Sequence, residues 1–411
     1  MPIVVEIYID GFKNITNTTL RLKEPITVLL APNNFGKTNV INAIEYAAMI
    51  VNTIPKRQEM LILKNGYTSI NEDNEPRRQK SFKFDITIND NTKTIIYSFK
   101  VSPAKGVEYE ALKVGHANIF NREGTVGYIN NQKLNAHINQ YNLFISVPIY
   151  IENSEKNKKQ ADVIKYIDLI RDVFFNMSDM LCNRQSMTHQ MTPNEKINSF
   201  EYEEAIADEV HILKEIMPAQ YNRFRSVFKR LFPYIKDFRI VSIFYGEGDN
   251  SLISDRPDAY RLEFDTIGKH RPETFRHLSE GTRDIFLLLL TIFLKPNKPF
   301  LAIEEIENGI HPSLYRKVLN LLADMCKNTR LLITTHSPSI VRNFDNSSFS
   351  TFYVGIPNNE GNARFATFKD AASNEISNEA SENGTSAGEI IFDMMLGTKS
   401  DIKRLKEWLD V

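Results

Sequence analysis

Three short stretches of this chain hold side chains that could do chemistry together. In Ala31-Pro32-Asn33-Asn34-Phe35-Gly36-Lys37-Thr38-Asn39, a glycine, a lysine and a hydroxyl follow an apolar run and precede a helical pattern. Successive backbone N–H groups in such a loop wrap phosphate oxygens, and the positive end of the following helix points at them. Gly36 lets the backbone come close, Lys37 is placed to reach the outer phosphates, and the Thr38 hydroxyl can ligate Mg²⁺. The usual pattern opens with glycine where this chain has Ala31, the smallest departure available. It is tolerable if that position does not need positive φ.

The second stretch, KPFLAIEEIENGIHPSL at 298–314, is a short apolar strand ending in Glu304 and Glu305. At the C-terminal end of a parallel strand beside a phosphate loop, one carboxylate can hold the Mg²⁺ shell and the other can polarise a water as general base. Glu304 is assigned to the metal and Glu305 to the water. Neighbours on a strand point opposite ways, so Glu305 must turn into the site at the strand end. Glu307 reads as structural or as a helper behind the pair. Elsewhere, HLSEGTRDIFLLLL (277–290) places Ser279 and Gly281 before an apolar helix, which reads as an anion-receiving terminus or as a plain helix cap. RLLITTHSPSIV (330–341) is a strand ending in Thr334, Thr335 and His336, and the histidine lies 31 residues beyond Glu305.

These groups need a strand–loop–helix unit and further strands beside it. PIVVEIYI and PITVLL read as two strands around a polar turn, followed by the loop and the helical pattern NVINAIEYAAMIV. Residues 53–80 read as a polar loop, with RRQK at 77–80, and 81–101 as a hairpin about Asn-Asp-Asn, with short strands continuing to about 151. From about 153 apolar residues take helical spacing, and 155–235 read as a helical insertion. It ends in a basic amphipathic stretch, YNRFRSVFKRLFPYI, either a structural arm or one that contacts DNA or a partner. FRIVSIFYG and YRLEFDT return to strands, and 276–345 alternate helix and strand as a parallel α/β fold does. The polar stretch 372–388 reads as a linker to a last helical segment. The division expected is 1–152 with the phosphate loop and a β-rich lobe, 153–236 helical, 237–371 with the remaining motifs, and 372–411 linker and helical tail.

A chain of 411 residues with 42% hydrophobic and 25% charged residues can bury a sizeable core, and its net charge of −1 spreads no basic field for nucleic acid. Cys182 and Cys326 lack metal-ligand spacing and read as reduced thiols. The N-terminus has no signal-peptide layout, and the longest apolar run, Ile285 to Leu294, is too short for a bilayer. A cytoplasmic protein with no membrane partner is expected.

The order of the motifs resembles the ABC-type ATPase head, a P-loop α/β fold with a mixed sheet flanked by helices, here with a mainly helical insertion. It is most similar to the soluble heads related to OLD-family, RecF and SMC proteins. IEEIENGIHPSL resembles the D/E-E-P-E-x-x-x-H-P box of OLD-like ATPases, and APNNFGKTN their GENNSGKSN-type loop. The likeness covers roughly 1–50 and 270–345. It implies that Asn33, Asn34, Gly36, Lys37, Thr38 and Asn39 bind ATP. Ser279 and Gly281 would touch the γ-phosphate of ATP held by a second subunit, and Glu304 would be the magnesium acid. Glu305 would be the catalytic base, and His336 the switch that senses the γ-phosphate. Departures are Ala31 for Gly, Glu304 for Asp and Ile306 for Pro; the added methylene of Glu304 bears on metal geometry.

The resemblance further implies a homodimer or higher oligomer with ATP sandwiched between heads. Only 75 residues follow His336, without the Glu and Asp-x-Asp set of a two-metal nuclease, so the effector is expected in a separate protein, as in bacterial anti-phage systems. Double-stranded DNA or a phage protein would be its trigger. The alternatives are a RecF- or SMC-like DNA repair or clamping ATPase, and a module that clamps ATP and hardly turns it over.

Overall fold

The computed structural model describes residues 2–64, 81–90, 93–134, 138–146, 158–177, 199–244, 259–295, 298–307, 310–325, 329–341, 351–358 and 361–410. They divide into one unit of Met1–Met180, Lys298–Glu305 and Ala323–Val411, and a second of Leu181–Asn297 and Ile306–Leu322. The RRQK run, Cys182 and Cys326 lie outside the described residues.

The first unit carries two sheets. Strands β1 (Ile3–Asp10), β2 (Thr18–Arg21), β4 (Phe82–Asp90), β5 (Lys93–Ser102), β6 (Gly106–Val114), β7 (Ala117–Glu123), β8 (Val126–Ile129) and β9 (Gln132–Lys133) form an eight-stranded sheet in the order β2-β1-β4-β5-β6-β7-β8-β9. Every pairing is antiparallel, and the alternating burial of β4, with Phe82, Phe84, Ile86 and Ile88 inward, is what a sheet covered on one face requires. Its inner face meets helix α1 (Lys37–Asn52) and helix α3 (Lys158–Met177) through the rings of Phe12, Tyr46, Phe82, Phe84, Tyr97 and Phe174.

The other sheet is mixed. Strands β3 (Ile26–Leu30), β13 (Phe300–Ile303), β14 (Arg330–Thr335), β15 (Phe352–Pro357) and β16 (Ala363–Thr367) run in the order β13-β14-β3-β15-β16. β13, β14, β3 and β15 are parallel to their neighbours and β16 is antiparallel. β3 and β13 are buried at every residue, so neither alternates, as befits parallel strands covered on both faces. Chain order and spatial order differ here: β3, from the start of the chain, sits between strands that arrive more than 300 residues later.

The second unit packs α4 (Ser199–Ile216), α5 (Pro218–Leu231) and α6 (Glu280–Leu294) with the antiparallel sheet β10 (Ile235–Ile243), β11 (Ala259–Thr266) and β12 (Glu273–Thr274). Phe286 of α6 touches Phe224, Phe228, Phe238, Phe264 and Phe275. The basic amphipathic stretch is α5. Its apolar face, Tyr221, Phe224, Phe228 and Leu231, is spent in this core, and on its polar side Arg225 pairs with Asp237. The expected helical insertion is therefore divided, with α3 in the first unit and α4 and α5 in the second.

Three local expectations change. Within 53–80, Pro55–Leu63 is a helix, α2, opened by proline at its first turn. Instead of a strand at 141–151, Phe144–Ser146 is a 3-10 turn whose Phe144 and Ile145 N–H groups go to the Glu110 carboxylate rather than to a ladder; 147–151 lie outside the described residues. The polar stretch from 372 is not a linker but helix α9 (Ala372–Asn383), because Ala372, Ile376 and Ala380 recur every fourth residue and bury one stripe. Ser377 and Ser381 bond back to carbonyls four residues earlier, and Gly384 closes the helix at φ 64°. Helix α7 (Tyr315–Met325) lies between β13 and β14 in the chain, and a single turn, α8 (Pro338–Val341), follows β14. Helices α10 (Ala387–Leu396) and α11 (Lys399–Trp408) each open with a capping box, Ser386 with Glu389 and Thr398 with Asp401.

Candidate functional site

Parallel pairing of β13, β14 and β3 puts the loops after all three strands at one sheet edge. From β3 the chain runs straight into the loop at 31–36 and then into α1. Asn34 and Gly36 are its left-handed residues, at φ 61° and 104°. Ala31 is not one of them, which answers the condition set by its substitution for glycine. It is wholly buried, and Gly355 on β15 gives it room: a Cβ added there would come within 2.9 Å of the Ala31 methyl and 2.8 Å of Phe35.

Gly36 is glycine for two reasons. Its φ is costly for any L side chain, and a Cβ would lie 2.8 Å from Asn14 Oδ1. Asn14, from the turn between β1 and β2, also donates from Nδ2 to Phe35 O at 3.3 Å and accepts from Asn39 Nδ2 at 2.7 Å. It buttresses the loop from behind and fixes Asn39. Nothing in the sequence singled it out. Lys37 is 5% exposed, with Nζ donating to the carbonyls of Ala31 at 2.8 Å and Pro32 at 3.0 Å. Asn33, Asn34 and Thr38 are exposed.

At the end of β13, Glu304 and Glu305 are half-buried. Glu305 has φ 46°, the left-handed turn that lets the second of two neighbouring residues change direction. Its N–H donates to Thr334 Oγ1 at 3.0 Å, and its Oε1 lies 3.9 Å from His336 Nδ1. The Ala31 N–H reaches Thr335 O at 3.5 Å, and Thr335 Oγ1 accepts from Ser337 N at 3.0 Å. Thus the end of β14 touches both the phosphate loop and the base candidate. Thr334 and Thr335, noted in the sequence only as neighbours of the histidine, make these joints.

Ser279 and Gly281 belong to the second unit. Ser279 is exposed and caps α6: its Oγ accepts from Thr282 N at 3.3 Å and lies 2.7 Å from Thr282 Oγ1, which also meets Tyr234 Oη at 2.7 Å. Gly281 lies in the first turn of the same helix. Glu307, also in the second unit, accepts from Tyr315 Oη at its carbonyl, 3.5 Å away.

The residues present suit a magnesium nucleotide. The loop has a glycine whose missing side chain leaves space in front of Asn14, a buried lysine at its mouth, and an exposed hydroxyl at the helix start. Among the described residues no three His, Cys, Asp or Glu side chains cluster as a metal cage. Mg²⁺ typically takes one or two protein oxygens and completes its shell with phosphate and water.

Residues 26–342 match the family described as "AAA domain, putative AbiEii toxin, Type IV TA system". No curated protein matches the chain. Among solved structures it is similar to the "SmcHead bound to the C-winged helix domain of ScpA", at 12% identity over 91% of this chain and 99% of that one, with a TM-score of 0.50. Others are an Smc head domain with an extended coiled coil from Pyrococcus furiosus (13% identity, 93% and 100% covered, TM-score 0.48) and the SMC head domain from Thermotoga maritima (14%, 89% and 99%, 0.46). At such identity the likeness is one of fold. No helix among the described residues is long and apolar enough to cross a membrane. Because the family match takes in the phosphate loop, the acidic strand end and the strand that ends at His336, the chain belongs to this AAA-domain family, and its fold is similar to that of an SMC head.

Proposed function

We propose that the protein binds ATP with Mg²⁺ at the loop of residues 31–39 and hydrolyses it. The observation that carries this reading is the contact chain at one sheet edge: loop to Thr335, Thr334 to Glu305, Glu305 to His336. The N–H groups of 33–38 and Lys37 Nζ bind phosphate oxygens, with Nζ exchanging loop carbonyls for them. Thr38 and Glu304 would hold the metal, which when bound supplies charge neutralisation on the phosphates. Glu305 takes the proton of the attacking water, and His336 orients that carboxylate while testing for the outermost phosphate.

Ser279 and Gly281 complete the site of a second copy, so ATP joins two heads and hydrolysis releases them. The protein then works as a cytoplasmic switch or scaffold in anti-phage defence, with a separate effector and a phage protein or DNA as trigger. The family description, "AAA domain, putative AbiEii toxin, Type IV TA system", is in keeping with a role in such a system. A second reading, a DNA-clamping or repair ATPase, is favoured by the likeness in fold to an Smc head.

ATP turnover and mass in solution for wild type, Lys37→Ala and Glu305→Gln, with and without double-stranded DNA, test both. Lys37→Ala should lose nucleotide binding. Glu305→Gln should keep binding, lose about 10²-fold or more in turnover, and accumulate as an ATP-held larger assembly. Turnover unchanged in Glu305→Gln would remove it as base. DNA stimulation would favour the second reading.

A further inference from the structure

Behind the phosphate loop, α1 presents a second face that the nucleotide chemistry does not use. Asn42, Glu45, Met49 and Asn52 recur along it at helical spacing and line a groove of about 580 Å³. Phe12 and Lys13 from the β1–β2 turn close one side of it, and Arg57 of α2 and Phe175 of α3 line it further. All of these residues belong to the first unit. From 42 to 53 the helix rises about 16 Å, which an extended peptide spans in about five residues.

Two features specify an occupant. The first is apolar: Phe175 is 68% exposed, and Ile54, next to the lining residue Thr53, is 69% exposed. An exposed aromatic side chain beside a groove is a usual anchor of a protein contact. The second is charge. The lining holds Lys13 and Arg57 against the single acid Glu45 in a chain of net charge −1. Neither cation has a side-chain ion-pair or hydrogen-bond partner among the described residues, Lys13 lying instead over the Phe12 ring at 5.6 Å. Asn52 Nδ2, a donor shielded from solvent, is likewise without a hydrogen-bond partner there. Two of the carbonyls at this end of α1 are taken by side-chain donors: Ile50 O accepts from Gln58 Nε2 at 2.7 Å and Val51 O from Ser146 Oγ at 3.0 Å.

We infer that this groove docks an acidic, amphipathic segment of a partner protein. Carboxylates of the segment meet Lys13 and Arg57, and its apolar side chains cover Phe175 and Met49. The site needs no nucleotide, so it stands apart from the ATPase reading.

The test is fluorescence anisotropy of a fluorescein-labelled amphipathic peptide of Glu, Leu and Phe. It is run against the same peptide with Lys for Glu and against labelled double-stranded DNA, on wild type, Arg57→Glu, Lys13→Gln and Phe175→Ser, each also in the Lys37→Ala background. Circular dichroism verifies folding, and Arg57→Gln replaces any variant that fails it. The acidic peptide should bind wild type and Lys37→Ala alike, more weakly as salt rises, and at least about tenfold more tightly than the Lys peptide. Arg57→Glu and Phe175→Ser should each weaken it about tenfold. The inference is overturned if acidic and basic peptides bind equally, if neither binds, or if the variants bind as wild type does. It is equally overturned if the variants weaken DNA and not the peptide, or if they change only the mass of the nucleotide-free protein, which would make the occupant a second copy.

Discussion

At the edge of the five-stranded sheet, Glu305 and His336 stand 3.9 Å apart with 42% and 36% of their side chains exposed. Inside the eight-stranded sheet, Glu110 and Arg122 stand 4.0 Å apart and are wholly buried. The distances match, but the surroundings do not. Glu110 accepts from Phe144 N at 2.6 Å, Ile145 N at 3.1 Å and Tyr97 Oη at 3.0 Å. Arg122 donates to the carbonyls of Gly124, Asn139 and Asn142. Burial pushes the Glu110 carboxyl up, against the Arg122 charge and the N–H donors that pull it down. This second pair is a structural rivet that ties the 139–146 segment to the lobe. Gln58 continues the seam, joining Ile50 O, Ser146 Oγ and Leu143 N. Where charge holds the fold, each charged group is closed off by several hydrogen bonds. The pair proposed to react stays near water, with Glu305 on a left-handed turn.

Substitutions can break this contrast. Arg122→Met should cost the most, about 3–5 kcal/mol, since it strands a buried carboxylate; urea unfolding reads it, and a loss below about 1 kcal/mol would contradict the rivet. Gly36→Ala comes next, at about 1–3 kcal/mol, from left-handed strain and the clash with Asn14, with nucleotide affinity lost as well; unaltered affinity by calorimetry would mean the loop does not need this backbone. Glu305→Gly should move the other way: it relieves the φ of 46°, so the protein gains up to about 1 kcal/mol while turnover falls. A destabilised Glu305→Gly would class Glu305 with Glu110.

The smallest effect concerns Asp237. Burial raises its carboxyl, but the Arg225 hydrogen bond, the Phe238 N–H and the charges of Arg225 and Lys229 hold it below the usual 3.8. A lowered value means the stabilisation is present above that pH and fades as pH falls through the lowered value. Asp237→Asn should therefore remove a small stabilisation at neutral pH and flatten the acid limb. An acid limb identical to wild type would show that this pair contributes nothing.

Much of the site is contiguous and could be read directly. Gly36, Lys37 and Thr38 are neighbours in the chain, and the helix beginning at Lys37 was visible in its periodicity. The strand ends were visible as apolar runs cut off by Glu304 and by His336. The polar stretch from 372 was misread because composition hid a stripe of three small or apolar residues. Asn14 and Gly355 carried no signal at all, since an asparagine in a turn and a glycine in a strand are commonplace until the loop they support is known.

By itself the sequence determined where a glycine, a lysine and a hydroxyl open a helix after an apolar strand and which strand ends in carboxylates, because loop composition and periodicity are local. Only the tertiary structure decided that β3 lies between β14 and β15, that Glu305 turns at φ 46° toward His336, and that Thr335 joins β14 to the loop. Those are outcomes of strand pairing and burial between segments some 300 residues apart, where the alternatives differ in which backbone groups and apolar faces find partners.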